Sequence, residues 1–357
     1  MKRPAIVLAL LFLILIAPVR AATLSIEIRD LSNKPIPGVV IAYSYNGTPP
    51  AMSGGGSVTT DAEGKATLIH PGLGGSSCLL LSAITYSISK QGFQFTQTSG
   101  SLPCGPVSSD LSVTGTDLPK ITSVSAASYE ARLTGNMIAA TFGTNLAAFT
   151  EFAVSGLETS LANRSVLIKD TRGIEKAAEL LFVSPGQINY IVPGDLSEGI
   201  ATIKLAASDG SAVGAEFAGI RNIAPGVFAA NADGRGIAAA LIVRVKPGNI
   251  QSYEPVATLD EALGRFVARP IDLGPASEVV YLTLFGTGWR NTASIATTTV
   301  VIGGITSELQ YAGVQPTIAG LDQINVRLSR DLIGRGEVTV AVEVSGVFAK
   351  PVNINIK

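Results

Sequence analysis

One histidine, two cysteines and one tryptophan in 357 residues leave this sequence short of the side chains that most often do chemistry. A Ser-His-Asp or Cys-His nucleophile needs an imidazole within hydrogen-bond reach. The only histidine, His70, precedes Pro71-Gly72 at a strand end and is expected to be a turn-flanking surface side chain. Zinc sites draw on three or four Cys and His ligands, so they are excluded for the same reason. Charge is scarce as well: charged residues make up 15% of the chain, 26 basic against 27 acidic, with no long run of either sign. A surface that tracks phosphates needs concentrated Lys and Arg, which excludes nucleic acid as a partner.

Long apolar runs are also missing. The Ala5–Ala17 stretch has 13 residues, against about 20 for a membrane-spanning helix. With Lys2 and Arg3 before it and Val19-Arg20-Ala21 after it, this stretch predicts a signal peptide of residues 1–21, cleaved after Ala21. The expectation is a secreted or extracytoplasmic protein that does not span the membrane once the leader is gone. In that compartment Cys78 and Cys104 are expected to form one disulfide. Closing a loop of that length stabilises a fold by about 3 kcal/mol in the chain-entropy account.

What the sequence does have is glycine, 38 of them, and short period-two apolar alternation. Leu24-Ser25-Ile26-Glu27-Ile28-Arg29 alternates as a half-buried strand should, and Asn46-Gly47 is a two-residue hairpin signal. Short strands with turns every 8–12 residues predict an all-β fold of sandwich type. Ile28-x-Asp30, Lys34-Pro35-Ile36-Pro37-Gly38-Val39 and Thr60-Asp61-Ala62-Glu63-Gly64-Lys65-Ala66 resemble the carboxypeptidase-regulatory-like and Cna-B-like sandwiches. The resemblance implies a sandwich over residues 22–116 that serves as a stalk or spacer. Some Cna-B-like domains carry a Lys–Asn crosslink, but the first strand here has no Lys and Asp110–Gly115 has no Asn.

Beyond a Gly/Pro-punctuated linker at Ser108–Pro119, the sequence repeats itself. Ile138–Thr144 recurs as Tyr281–Thr287, Val166-Leu167-Ile168 as Val300-Val301-Ile302, and Gln187-Ile188-Asn189 as Gln323-Ile324-Asn325. Gly199–Ile203 recurs as Gly336–Val340. Fixed order with drifting spacing predicts two Ig-like units, 117–222 and 223–357. The second carries an extra hairpin built from Ile237–Val245 and Phe266–Ile271. Phe142–Leu146, Val183–Asn189, Pro225–Phe228, Phe285–Trp289, Val301–Gly304, Tyr311–Gly313 and Gln323–Val326 resemble the Solibacter-type uncharacterised C-terminal domain family over about 119–357. That resemblance implies paired Ig-like units at the end of secreted proteins, with no catalytic residues to carry over. Trp289 stands where the family more often has a small aliphatic residue.

The fold class expected is therefore three Ig-like β-sandwich units in tandem after a cleaved signal peptide. The expected function is non-catalytic binding, adhesion or spacing at the cell surface or in secreted form, with extracellular polysaccharide or an envelope protein as partner. Trp289, Tyr281, Tyr311 and the 246–265 loops are candidate sugar contacts. For Trp289 the favoured reading is a core plug, because its repeat counterpart is the aliphatic Leu146, which cannot stack on a sugar. Gln187, Asn189, Gln323 and Asn325 are candidate ligand contacts or structural tethers, each pair on one strand face opposite its Ile. A histidine-free glycosidase needs two acids in one cleft; Asp195 with Glu198, and Glu254 with Asp260 and Glu261, read instead as turn acids. No cofactor is expected, calcium held by sandwich loops being the one left open.

Overall fold

A computed structural model describes residues 21–357 apart from 31, 48–52, 72–81, 91, 105–107 and 155. The expected leader therefore falls, up to residue 20, outside the described residues, and so does Cys78 of the expected Cys78–Cys104 disulfide. The chain is all-β, and the helical element among the described residues is a short 3₁₀ turn, Arg330–Leu332. The chain divides into two compact units, one ending at Asp117 and one running from Leu118 to Lys357.

The first unit is a sandwich of two four-stranded sheets. One orders Lys65–Ile69, Thr23–Asp30, Ser108–Asp117 and Phe93–Phe95; the other orders Gly54–Thr59, Val40–Tyr45, Ile84–Ser89 and Ser99–Leu102. Alternation decides which face is buried: Leu24, Ile26 and Ile28 point into a core shared with Ile41, Ile84 and Val113. The Thr-Asp-x-x-Gly turn has a mechanical role here. The buried Thr60 hydroxyl accepts the Val39 N–H at 2.9 Å and donates to the Ile36 carbonyl at 2.8 Å. Asp61 takes the N–H groups of Glu63 and Lys65, and Gly64 adopts φ +73°, with the Ile28 carbonyl where a side chain would stand.

Two expectations fail in this unit. His70 is fully buried rather than on the surface, because its ring packs near Tyr45 and its Nε2 bonds the Ser82 carbonyl at 2.9 Å. Asn46-Gly47 does not close a two-residue hairpin. Val40–Tyr45 pairs with a strand that begins only at Gly54, and Asn46 instead bonds Ser82 through its main chain.

The second unit holds two sandwiches of one plan. In the first of them, the back sheet orders Arg132–Leu133, Ala212–Ile220, Gly199–Ala207, Arg164–Lys169 and Glu175–Ala177. In the other, Pro270–Ile271, Val352–Ile356, Gly336–Val344, Thr298–Ile302 and Ile305–Thr306 stand in the same order. In both, the first strand of that series is parallel to its neighbour and the other pairs are antiparallel. The front sheets match too: Glu179–Val183, Gln187–Ile191, Ile138–Phe142 and Thr122–Ser125 correspond to Glu308–Val314, Asp322–Arg327, Val279–Thr287 and Ala240–Lys246. Even the irregularity repeats, with a register shift at Leu180/Phe182 and again at Leu309/Tyr311.

The two sandwiches differ at the edges of their front sheets. The earlier one adds Glu151–Phe152 beyond Glu179–Val183. The later one adds Ile250–Pro255 beyond Ala240–Lys246, followed by a separate hairpin of Ala257–Asp260 with Arg265–Ala268. The extra hairpin is thus assembled differently from the sequence expectation: Ala240–Lys246 turns straight back on Ile250–Pro255, and Arg265–Ala268 pairs locally.

The sandwiches share a bonded junction. The Thr287 hydroxyl, fully buried, accepts the Ile138 N–H at 2.8 Å and donates to the Gly320 carbonyl at 2.8 Å. Asn291 donates to the Gly135 carbonyl at 3.2 Å, Lys350 to the Ser128 carbonyl at 2.8 Å, and Tyr129 to the Ala232 carbonyl at 2.6 Å. Gly226 packs so closely that a Cβ would lie 3.1 Å from that of Ala127. Buried hydrogen bonds fix orientation because breaking one strands a desolvated partner.

Candidate binding face

The front sheet of the last sandwich shows its inner face to the core through Ile242, Val280, Leu282, Leu284, Ile324 and Val326. Its outer face is then set by the residues between them. Cross-strand register arranges these in rows. Tyr253 opposes Val243, which opposes Tyr281, which opposes Arg327. In the next row Leu241 opposes Thr283, which opposes Asn325, which opposes Tyr311. Phe285 opposes Gln323, which opposes Gly313, in a third.

Four candidate residues therefore come together: Tyr281, Tyr311, Gln323 and Asn325. Tyr311 is 38% exposed, and Tyr253, inside the 246–265 stretch expected to be loops, is 65% exposed and stands on the strand Ile250–Pro255. Gln323 donates through Nε2 to Asn325 Oδ1 at 2.9 Å, and Arg327 pairs with Glu308 at 3.4 Å. Beside the rows lies an apolar hollow of about 390 Å³ between Leu241, Pro255, Phe285 and the hairpin residue Phe266. Asn231 holds that hairpin by bonding both main-chain groups of Phe266.

Gln187 and Asn189 lie on the equivalent face of the preceding sandwich and make the same bond, Nε2 to Oδ1 at 2.8 Å. There the surroundings differ. Phe182, at the position of Tyr311, packs against Phe152 at 4.8 Å. Phe142 stacks on Tyr129 at 5.9 Å. Ile138, at the position of Tyr281, meets the Gly320 turn, where an added Cβ would lie 2.5 Å away. The amide pairs are half-buried in both copies, and the copies differ in the side chains that flank them.

Trp289 is not part of this face. It is 0% exposed and lies in the core, which removes it as a sugar contact. The physical reason is a paired glycine: an added Cβ at Gly286 would collide with the Trp289 ring, and one at Gly143 would lie 2.6 Å from Leu146. Each glycine opens the space its plug fills. The Trp289 N–H bonds Asp322 at 2.9 Å, and Arg290 Nε bonds the same carboxylate at 2.6 Å.

The candidate acids are engaged elsewhere. Asp195 pairs with Lys176, and Glu254 pairs with the buried Arg244 at 3.0 Å. Asp260 caps a turn through the Leu263 N–H. A cleft of about 300 Å³ does hold two carboxylates, Glu278 and Glu308. Each faces a guanidinium, Arg244 at 3.0 Å and Arg327 at 3.4 Å. Among the described residues no three His, Cys, Asp or Glu side chains are grouped to hold a metal ion. No helix among them is long and apolar enough to cross a membrane.

No family model matches the chain, and no curated protein matches it. Among solved structures, similar chains include the TIE protein of Bacillus anthracis, at 10% identity and a TM-score of 0.21. That match covers 87% of this chain and 48% of the other, so the chain spans about half the length of the TIE protein. A mutant of the shaft pilin SpaA from Lactobacillus rhamnosus GG matches at 10% identity and TM-score 0.21, covering 94% of this chain and 98% of that one. A tetra-tandem repeat in the extending region of a large adhesion protein matches at 11% identity and TM-score 0.18, over 94% and 99%. Likeness at this level carries no functional argument.

Proposed function

We propose that this chain is an extracytoplasmic, non-catalytic β-sandwich protein that acts in adhesion or as a spacer. In this reading Leu118–Lys357 is a Solibacter-type C-terminal pair, preceded by a carboxypeptidase-regulatory-like or Cna-B-like sandwich. The observation that carries the reading is the junction through Thr287. A spacer has to hold neighbouring modules in one orientation, and here the Thr287, Asn291 and Lys350 side chains bond main-chain groups of the preceding sandwich. Interfaces between independent domains within a chain are more commonly loose and mobile. The leader pattern of residues 1–21 supports the extracytoplasmic part of the reading.

Small-angle scattering of the chain with a combined Thr287→Val, Asn291→Ala, Lys350→Ala variant tests this. The parent should fit a single arrangement of the last two sandwiches, and the variant a broader set. A parent already as heterogeneous as the variant, or robust hydrolysis of a glycoside by the parent, would contradict the proposal.

A further inference from the structure

The repeated sandwich supplies an internal comparison. Both copies keep the Gln-x-Asn pair half-buried on the outer face of the front sheet, but the positions that carry Ile138 and Phe182 in the earlier copy carry Tyr281 and Tyr311 in the later one. On the later copy, Tyr253 and Tyr281 stand in one row with Val243 between them. Two strand spacings separate them, about 10 Å. Tyr311 stands in the next row, directly opposite Asn325.

Two rings therefore share one row, and a ring faces an amide in the next. The bond from Gln323 Nε2 to Asn325 Oδ1 fixes both side chains. It leaves the Asn325 amide nitrogen as a donor and the Gln323 carbonyl oxygen as an acceptor for a group lying on the face. Tyrosine offers a flat apolar ring with a polar tip. A sugar ring needs this combination, since its C–H face stacks on an aromatic ring while its hydroxyls exchange hydrogen bonds with amides.

Charge narrows the partner further. Arg327 and Glu308 neutralise each other at the end of the Tyr281 row. A single-stranded nucleic acid would require a positive groove, and an anionic polymer would find no surplus cation here.

We propose that the outer face formed by Tyr253, Tyr281, Tyr311, Gln323 and Asn325 binds an uncharged, extended extracellular polysaccharide. The proposal rests on the non-catalytic adhesion reading and names the partner for it.

The test is depletion of the full chain from solution by cellulose, insoluble β-1,3-glucan, xylan and chitin. It compares the parent with Tyr281→Ala, Tyr311→Ala, Tyr253→Ala and the conservative Tyr281→Phe. Saturable binding to one of these polymers is expected. Each alanine variant should weaken it about thirtyfold, the lower bound of an interface hot spot, and Tyr281→Phe should retain it. Thermal unfolding run in parallel identifies any variant that fails to fold, and the exposed Tyr253 keeps the test intact if Tyr281→Ala does so. A parent that binds none of the polymers would overturn the proposal, as would alanine variants that bind like the parent. Binding that is lost when the polymer preparation is treated with protease would overturn it in favour of a protein partner. None of these failures would touch the scattering result, so the spacer reading stands or falls separately.

Discussion

Asp322 accepts the main-chain N–H of Trp289 at 2.9 Å while its other carboxylate oxygen takes Arg290 Nε at 2.6 Å. Both the tryptophan and the aspartate are fully buried. One acidic residue thus locks the loop that seats the largest side chain of the last core. The equivalent loop of the preceding sandwich needs no acid, since the Leu146 N–H bonds the Pro185 carbonyl directly.

Asp322→Ala is predicted to cost about 3–5 kcal/mol, the usual range when one partner of a buried ion pair is removed. Denaturant unfolding followed by Trp289 fluorescence reads this loss. A change below about 1 kcal/mol would show that the loop holds without its clamp.

Gly286→Ala tests the plug itself. A Cβ there collides with the Trp289 ring and with the Gly226 carbonyl, and overpacking of a dense core typically costs about 1–3 kcal/mol. Trp289→Leu alone gives the Gly/Leu pair of the other repeat, whereas the double variant Gly286→Ala, Trp289→Leu keeps the clash with the Gly226 carbonyl and should unfold more readily. The opposite order in Tm would contradict this packing account.

Thr287→Val keeps the shape of the side chain and removes its hydroxyl. The Ile138 N–H then loses its partner at a buried junction, an expected loss of about 1–3 kcal/mol. Calorimetry should show the last two sandwiches melting together in the parent and moving toward separate transitions in the variant.

Acid should weaken the middle sandwich through Asp170. Its carboxylate accepts the Ser197, Arg172 and Ile174 N–H groups and the Arg172 guanidinium. These, the Ser197 bond foremost, hold its pKa far below the ordinary 3.8. A depressed folded pKa gives stability that is present above the unfolded value and is lost as pH falls below it. The Tm should therefore drop on acidification below about pH 4, and Asp170→Asn should lower Tm at neutral pH while flattening that drop.

Glu216 has the opposite sign. It opposes Ile203 and so points inward, and burial raises its pKa above the ordinary 4.5. A raised folded pKa gives stability that is full below the unfolded value and is lost as pH rises through the folded one. Glu216→Gln should raise Tm at pH 7 more than at pH 4. Equal effects at the two pH values would contradict the inward placement.

Much of the fold was readable because each repeat carries its own register. Gln187-Ile188-Asn189 and Gln323-Ile324-Asn325 occupy matching positions with matching bonds. What escaped is long-range. On Ala212–Ile220 one pair breaks the rule, with Phe217 50% exposed while Glu216 shares the inward face with Ala218 and Ile220. Alternation marks the buried face where apolar residues keep to one side, as at Leu24, Ile26 and Ile28, but not where an acid shares that side. Likewise Tyr253 joins Tyr281 only through the intervening Ala240–Lys246 strand, a proximity that neither residue's local sequence signals. Trp289 was legible as a core plug from its repeat counterpart Leu146, and the gap above Gly286 is what lets the larger ring fit.

Pulling the chain between its two ends in an optical trap tests the central claim most directly. Bonded sandwiches that act as a spacer should stay docked until a sandwich unfolds, and Thr287→Val should introduce an earlier, smaller extension at lower force. If the parent already shows that early extension, the last two sandwiches are loosely strung and the spacer account is wrong.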